Sequence, residues 1–207
     1  MTDYFSLLHQ PRQPWLDEDQ LAQAFRTQSN KFHPDRFHRS SDEEKLRAKE
    51  QASEINAAYA CLRDMKSRLG HLIQLEKGCD PRDIQDIPHE TTELFMQVGS
   101  LCRQVDQFLN GRAKPSSPLL QIAWFETAAE WRDKLSQQQC SLVNWREKLF
   151  EEIKCLNQAW LSLDIDDSLQ KSNPNALMEK LEQIYRLLSY ENRWSNQIQE
   201  RMLKLIL

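Results

Sequence analysis

From Leu142 to Leu163 an apolar residue returns every three or four positions: Leu142, Trp145, Leu149, Ile153, Leu156, Trp160 and Leu163. Only an α-helix puts residues at that spacing on one face, and a helix with one apolar stripe has to bury it against something. The spacing recurs in three other stretches. Leu94, Val98, Leu101, Val105 and Phe108 mark a helix over about 90–109, beside which lie Phe95, Met96 and Cys102. Leu120, Trp124, Thr127, Trp131 and Leu135 mark one over about 119–139. Leu177, Leu181, Ile184, Leu188, Ile198, Met202 and Leu205 mark one from about 175 to the C-terminus. No segment alternates with period two, so the chain is predicted to be all-α, with these four helices forming a C-terminal bundle.

Composition agrees. Four glycines and eight prolines in 207 residues are few for a fold built on tight β-turns. Charged residues make up 28% and apolar ones 40%, which suits amphipathic helices rather than disorder. The net charge of -4 offers no electrostatic basis for nucleic-acid binding. No run approaches the roughly 18 apolar residues of a membrane span, and no basic-then-apolar start marks a signal peptide. A soluble, cytoplasmic protein with no membrane contact is expected.

The N-terminal third is organised differently. Asp3 is placed to cap a short helix through Tyr4, Phe5, Leu7 and Leu8, which Pro11 and Pro14 end. Asp17, with Glu18 and Asp19 behind it, starts a helix whose Leu21, Phe25 and Phe32 share a face. Pro34 stops that helix near Phe32 or His33, because proline lacks an N–H and restricts the residue before it. His33-Pro34-Asp35 then lies on a polar loop. Ser41 and Glu44 fit a capping box that opens a second long helix, to about Asp64, striped by Ala48, Ala52, Ile55, Tyr59 and Leu62. Facing stripes across a short loop make an antiparallel hairpin, and the alanines allow close approach to Phe25 and Phe32. A short helix over about 67–76 carries Leu69, Leu72 and Ile73, with Gly78 and Pro81 closing it. Residues 79–89 read as a linker. The predicted layout is an N-terminal domain at 1–78 and a helical bundle at 90–207.

Catalytic and metal chemistry find little support. Cys61, Cys79, Cys102, Cys140 and Cys155 are odd in number and widely spaced, so reduced thiols on helix faces are expected rather than disulfides or a zinc site. His33 and His38 are five apart without a cysteine nearby, and no metal site is assigned. There is no Gly-rich phosphate loop, no G-x-S-x-G turn and no H-E-x-x-H helix. No catalytic residue and no cofactor are therefore assigned. The helical register of Trp124, Trp131, Trp145 and Trp160 favours core packing over a ligand-stacking site.

Asp3-Tyr4-Phe5, the run Lys31-Phe32-His33-Pro34-Asp35-Arg36-Phe37, and Ile55-Asn56-Ala57-Ala58-Tyr59 followed by Leu62 together resemble a J domain over about residues 1–78. Arg68 and Leu72 fall where that domain closes its last helix. The arrangement is most similar to the HscB iron–sulfur cluster co-chaperone family: a J domain at the N-terminus, then helices, without a Gly/Phe-rich linker or a cysteine-rich zinc module. The resemblance implies that the chain stimulates the ATPase of a DnaK/HscA-class chaperone. His33, Pro34 and Asp35 would signal, with Arg26, Lys31 and Arg36 as basic contacts. It implies an iron–sulfur scaffold protein as client, with Phe95 and Met96 matching apolar positions of the client surface. A second copy of the chain is a further candidate partner. The sequence departs from the family in three ways. The helix before the loop is less basic than in many J domains. Gly99, Ser100 and Arg103 stand where relatives carry an apolar residue and acidic ones. An extra tryptophan-rich helix over about 118–139 is expected. An unrelated client bound by the divergent helical domain is the alternative.

Overall fold

The computed structural model describes residues 2–37, 40–79, 91–111, 118–162 and 174–206. The protein is all-α: α1 (Tyr4–Leu7), α2 (Glu18–Lys31), a 3-10 turn (Pro34–Phe37), α3 (Asp42–Arg63), α4 (Met65–Lys77), α5 (Thr92–Asn110), α6 (Pro118–Ser162) and α7 (Pro174–Lys204). The expected linker at 79–89 lies almost wholly outside the described residues, as do the connections at 112–117 and 163–173. By spatial proximity the chain forms two compact units, Met1–Arg82 with Glu151–Tyr185, and Asp83–Phe150 with Arg186–Leu207. The two longest helices, α6 and α7, contribute to both.

Most caps are where the sequence predicts them. Asp3 accepts from the backbone of Phe5 and Ser6, Asp17 from Gln20, and Ser41 and Glu44 form the reciprocal capping box. Gly78 closes α4 at φ 71°, a left-handed conformation that glycine adopts without steric cost. Asp64, expected at the end of the preceding helix, does end α3 and also caps α4: its carboxylate accepts from Ser67 N at 2.8 Å. Hence α4 begins two residues before the predicted start.

The first unit buries Phe5, Leu8, Leu16 and Leu21 with Ile55, Ala58 and Leu62 of α3 and Leu69, Leu72 and Ile73 of α4. The 151–185 segment adds buried Ile153, Leu177, Leu181 and Ile184. It also supplies specific contacts. Asn157 Oδ1 accepts from Trp15 N at 3.0 Å, and Trp160 Nε1 donates to Arg12 O at 2.9 Å. Lys77 pairs with Glu182. The Tyr185 ring lies so close to Gly70 that a Cβ there would meet it at 3.0 Å.

His71 sits within this packing. Its Nε2 accepts the Tyr4 N–H at 3.0 Å, and its ring stacks on Tyr4 with centroids 4.6 Å apart. Burial holds its pKa below the ordinary 6.5, against the pull of Asp3. The unfolded chain therefore binds the proton first as pH falls, so this contribution to stability is full above 6.5 and is lost progressively below it. Denaturation midpoints measured between about pH 8 and pH 5 are expected to decline toward acid, and His71→Gln to flatten that slope. An unchanged slope would remove His71 as its source.

The second unit has one core, made by Val98, Cys102 and Val105 of α5, Ala128, Leu135 and Leu142 of α6, and Tyr190, Trp194, Ile198 and Leu205 of α7. Trp124, Trp131 and Trp145 pack against it, as their register predicts, whereas Trp160 belongs to the first unit. Arg201 ties α7 to α5 through Asp106 at 2.6 Å and Cys102 O at 3.3 Å.

One expectation is corrected. The helices predicted at about 119–139 and 142–163 are a single 45-residue helix, α6, and the extra tryptophan-rich helix is its first half. The polar run Gln137-Gln138-Gln139-Cys140-Ser141 suggested a break. It contains neither glycine nor proline, and some of its polar groups find partners while the helix continues. Ser141 Oγ donates back to Gln137 O at 3.2 Å, and Gln139 Nε2 reaches Ser195 Oγ of α7 at 2.9 Å. Leu135 and Leu142, two turns apart, are both fully buried, so the core face runs straight through.

Candidate functional site

The His33-Pro34-Asp35 loop is held from both sides. At the end of α2, the Phe32 N–H bonds Ser29 O at 3.3 Å, which tightens the last turn. Pro34 then opens the 3-10 turn, in which Arg36 N donates to His33 O at 3.0 Å. Arg36 Nη1 donates to Asn30 O at 3.1 Å, which satisfies a free carbonyl at the helix C-terminus and sets a positive charge against the negative end of its dipole. Behind the loop, the Phe25 and Tyr59 rings stack with centroids 4.1 Å apart and an interplanar angle of 14°, pinning α2 to α3.

His33 is exposed, and so are Arg26, Lys31 and Arg36. Among the described residues, no carboxylate pairs with Arg26 or Lys31. The side chains of Pro34 and Asp35 lie outside the described part of the structure. The loop thus offers a hydrogen-bonded backbone turn and a cationic flank, and Arg36 has a structural task of its own that its place in the sequence did not reveal.

Phe95 and Met96 stand one turn into α5, 38% and 58% exposed. The Phe95 ring rests on Trp194 at 6.0 Å between centroids, and Trp194 stacks in turn on Trp145 and Tyr190. Trp194 was not singled out from the sequence. Its stripe position between Glu191 and Ile198 is the signal that could have found it. Among the described residues, no group of three or more His, Cys, Asp and Glu is arranged to hold a metal ion, and no helix is long and apolar enough to cross a membrane.

Residues 3–70 match the DnaJ domain family. The chain is 31% identical over 144 residues to the co-chaperone protein HscB homolog of Vibrio cholerae serotype O1 strain M66-2, an alignment spanning 68% of this chain and 80% of that relative. The chain belongs to the HscB co-chaperone family. An HscB homolog of Aliivibrio fischeri is 29% identical over 181 residues, 87% of this chain and 93% of its own. The match to HscB of Proteus mirabilis is stronger, 38% over 96 residues, but spans 55% of that protein's length. The fold is also that of solved HscB structures. HscB from Vibrio cholerae superposes with a TM-score of 0.61 over 99% of both chains at 19% identity. Human HscB superposes with a TM-score of 0.61 over 96% of this chain and 81% of its own at 16% identity. This HscB-family chain is accordingly a J-domain co-chaperone.

Proposed function

We propose that this co-chaperone stimulates ATP hydrolysis by a DnaK/HscA-class chaperone through His33, Pro34 and Asp35, and that it brings that chaperone an iron–sulfur cluster scaffold as client. The observation that carries the first half is the tripeptide itself, held at the tip of the α2–α3 hairpin by the Phe25–Tyr59 stack and the Arg36 cap. Arg26 and Lys31 would steer the hairpin toward an acidic patch on the chaperone, with Arg36 closing the array. Catalysis stays with the chaperone. Single-turnover ATP hydrolysis by the cognate chaperone, with and without the full chain, tests this half.

The client half rests on Phe95 and Met96, adjacent, exposed and backed by Trp194. Replacing both by alanine is expected to weaken scaffold capture about tenfold or more, since exposed apolar anchors over a packed support are where binding energy concentrates. Titration of the purified scaffold onto wild type and the double variant reads this out. Equal binding by the two would remove these residues from the client surface. The presence of Gly99, Ser100 and Arg103 on the same helix favours a second reading, in which the client is unrelated to cluster assembly.

A further inference from the structure

α5 and the middle of α6 enclose an open groove of about 620 Å³ within the second unit. Met96 and Leu101 give it an apolar lining. Its charged rim is positive, in a chain whose net charge is -4. Arg103 and Lys134 both line it and are exposed, and among the described residues neither pairs with a carboxylate. Arg103 Nη1 lies 3.9 Å from where a Cβ on Gly99 would stand, an ordinary contact distance, so the guanidinium lies back along α5. The Lys134 ammonium sits 4.3 Å above the Trp131 ring, which fixes its position without neutralising it.

Gln138 also lines the groove, with its side-chain amide nitrogen shielded from solvent. Glu93, the acid of the lining, is already engaged by Gln97 Nε2 at 3.3 Å. Two exposed cations against one carboxylate, around an apolar patch, complement a carboxylate beside an apolar side chain.

We propose that the α5–α6 groove docks an acidic segment of the client, one with an apolar residue flanked by aspartate or glutamate. The apolar residue would lie on Met96 and Leu101, and carboxylates would meet Arg103 and Lys134. The proposal rests on the reading that α5 faces the client, and adds the chemistry of what is recognised. Complementary charge here selects partners and speeds encounter, because like-charged segments are repelled.

The test uses the full-length chain and three labelled synthetic peptides, each with one leucine, flanked by glutamate, glutamine or lysine, followed by fluorescence anisotropy. The glutamate peptide is expected to bind best, to weaken as salt rises, and to lose about tenfold or more in affinity to the Arg103→Glu, Lys134→Glu double variant. Both side chains are exposed, so the variant is expected to fold, and Arg103→Gln with Lys134→Gln gives a milder check. Equal binding of the three peptides, no binding of any, or an unaffected double variant overturns the proposal. A single-stranded oligonucleotide that competes as well as the glutamate peptide also overturns it. Scaffold capture that ignores the double variant sinks the groove and leaves the scaffold reading standing. Charge-dependent peptide binding without scaffold capture does the reverse.

Discussion

His33→Gln is expected to remove chaperone ATPase stimulation while leaving the co-chaperone folded. The His33 side chain is exposed, and its carbonyl accepts the Arg36 N–H in the 3-10 turn. The Phe25–Tyr59 stack and the Arg36–Asn30 bond, which shape the loop, do not pass through the imidazole. The substitution therefore changes what the loop presents while leaving the turn hydrogen bond, the ring stack and the Arg36–Asn30 bond in place. A rigid recognition loop concentrates binding energy in few side chains, and losing one such residue typically costs roughly 2 kcal/mol or more, about thirtyfold in the stimulated rate. Neutralising Arg26 or Lys31 should cost less and mainly alter the salt dependence, because both act as solvated charges. The measurement is single-turnover hydrolysis at a fixed chaperone concentration, with circular dichroism to verify folding. Full stimulation by His33→Gln would mean that this hairpin does not signal.

The largest effect on stability is expected at Arg68. This arginine of α4 is 2% exposed. Its Nε donates to Leu62 O at 2.6 Å, a carbonyl in the last turn of α3, and Nη1 donates to Pro14 O at 3.5 Å. One guanidinium thus links three segments of the first unit and satisfies a helix-end carbonyl that water does not reach. Burial lowers its pKa to about 10, with Glu18 and Asp64 opposing the shift. It remains charged at neutral pH, and its burial has a real desolvation cost. Arg68→Ala opens a cavity and strands the Leu62 carbonyl, and the expected loss is roughly 3 kcal/mol or more. Arg68→Lys should rescue little, because an ammonium lacks the planar fork that reaches two carbonyls. Arg68→Met should recover packing but not the hydrogen bonds. Urea denaturation of the three variants separates these contributions. A loss below about 1 kcal/mol in Arg68→Ala, the range of surface sites, would show that water takes over the role.

These two residues were unequally legible. His33 announced itself through Pro34 and the flanking stripes, because a helix stop between two amphipathic helices is a local pattern. Arg68 entered only through the family resemblance, and nothing in its spacing marks an arginine as buried. His71 is similar: a histidine beside Leu72 and Ile73 could face either way, and the Tyr4 N–H, 67 positions away, decides it. The break placed near Cys140 arose because a polar run within a helix looks like a loop until its partner on another helix, here Ser195, is known.

By itself, the sequence determined what depends on neighbours a few positions apart: the helical periodicity, the caps at Asp3, Asp17 and Ser41, the left-handed stop at Gly78 and the helix stop at His33-Pro34-Asp35. Only the tertiary structure decided which distant groups meet. It joined α6 into one helix, set residues 151–185 with the first unit, buried Arg68 and His71, and brought Arg103 and Lys134 to one groove. The physical reason is the same in each case. Propensity and spacing act along the chain, whereas burial, hydrogen-bond satisfaction and charge complementarity depend on partners that adjacency in sequence does not identify.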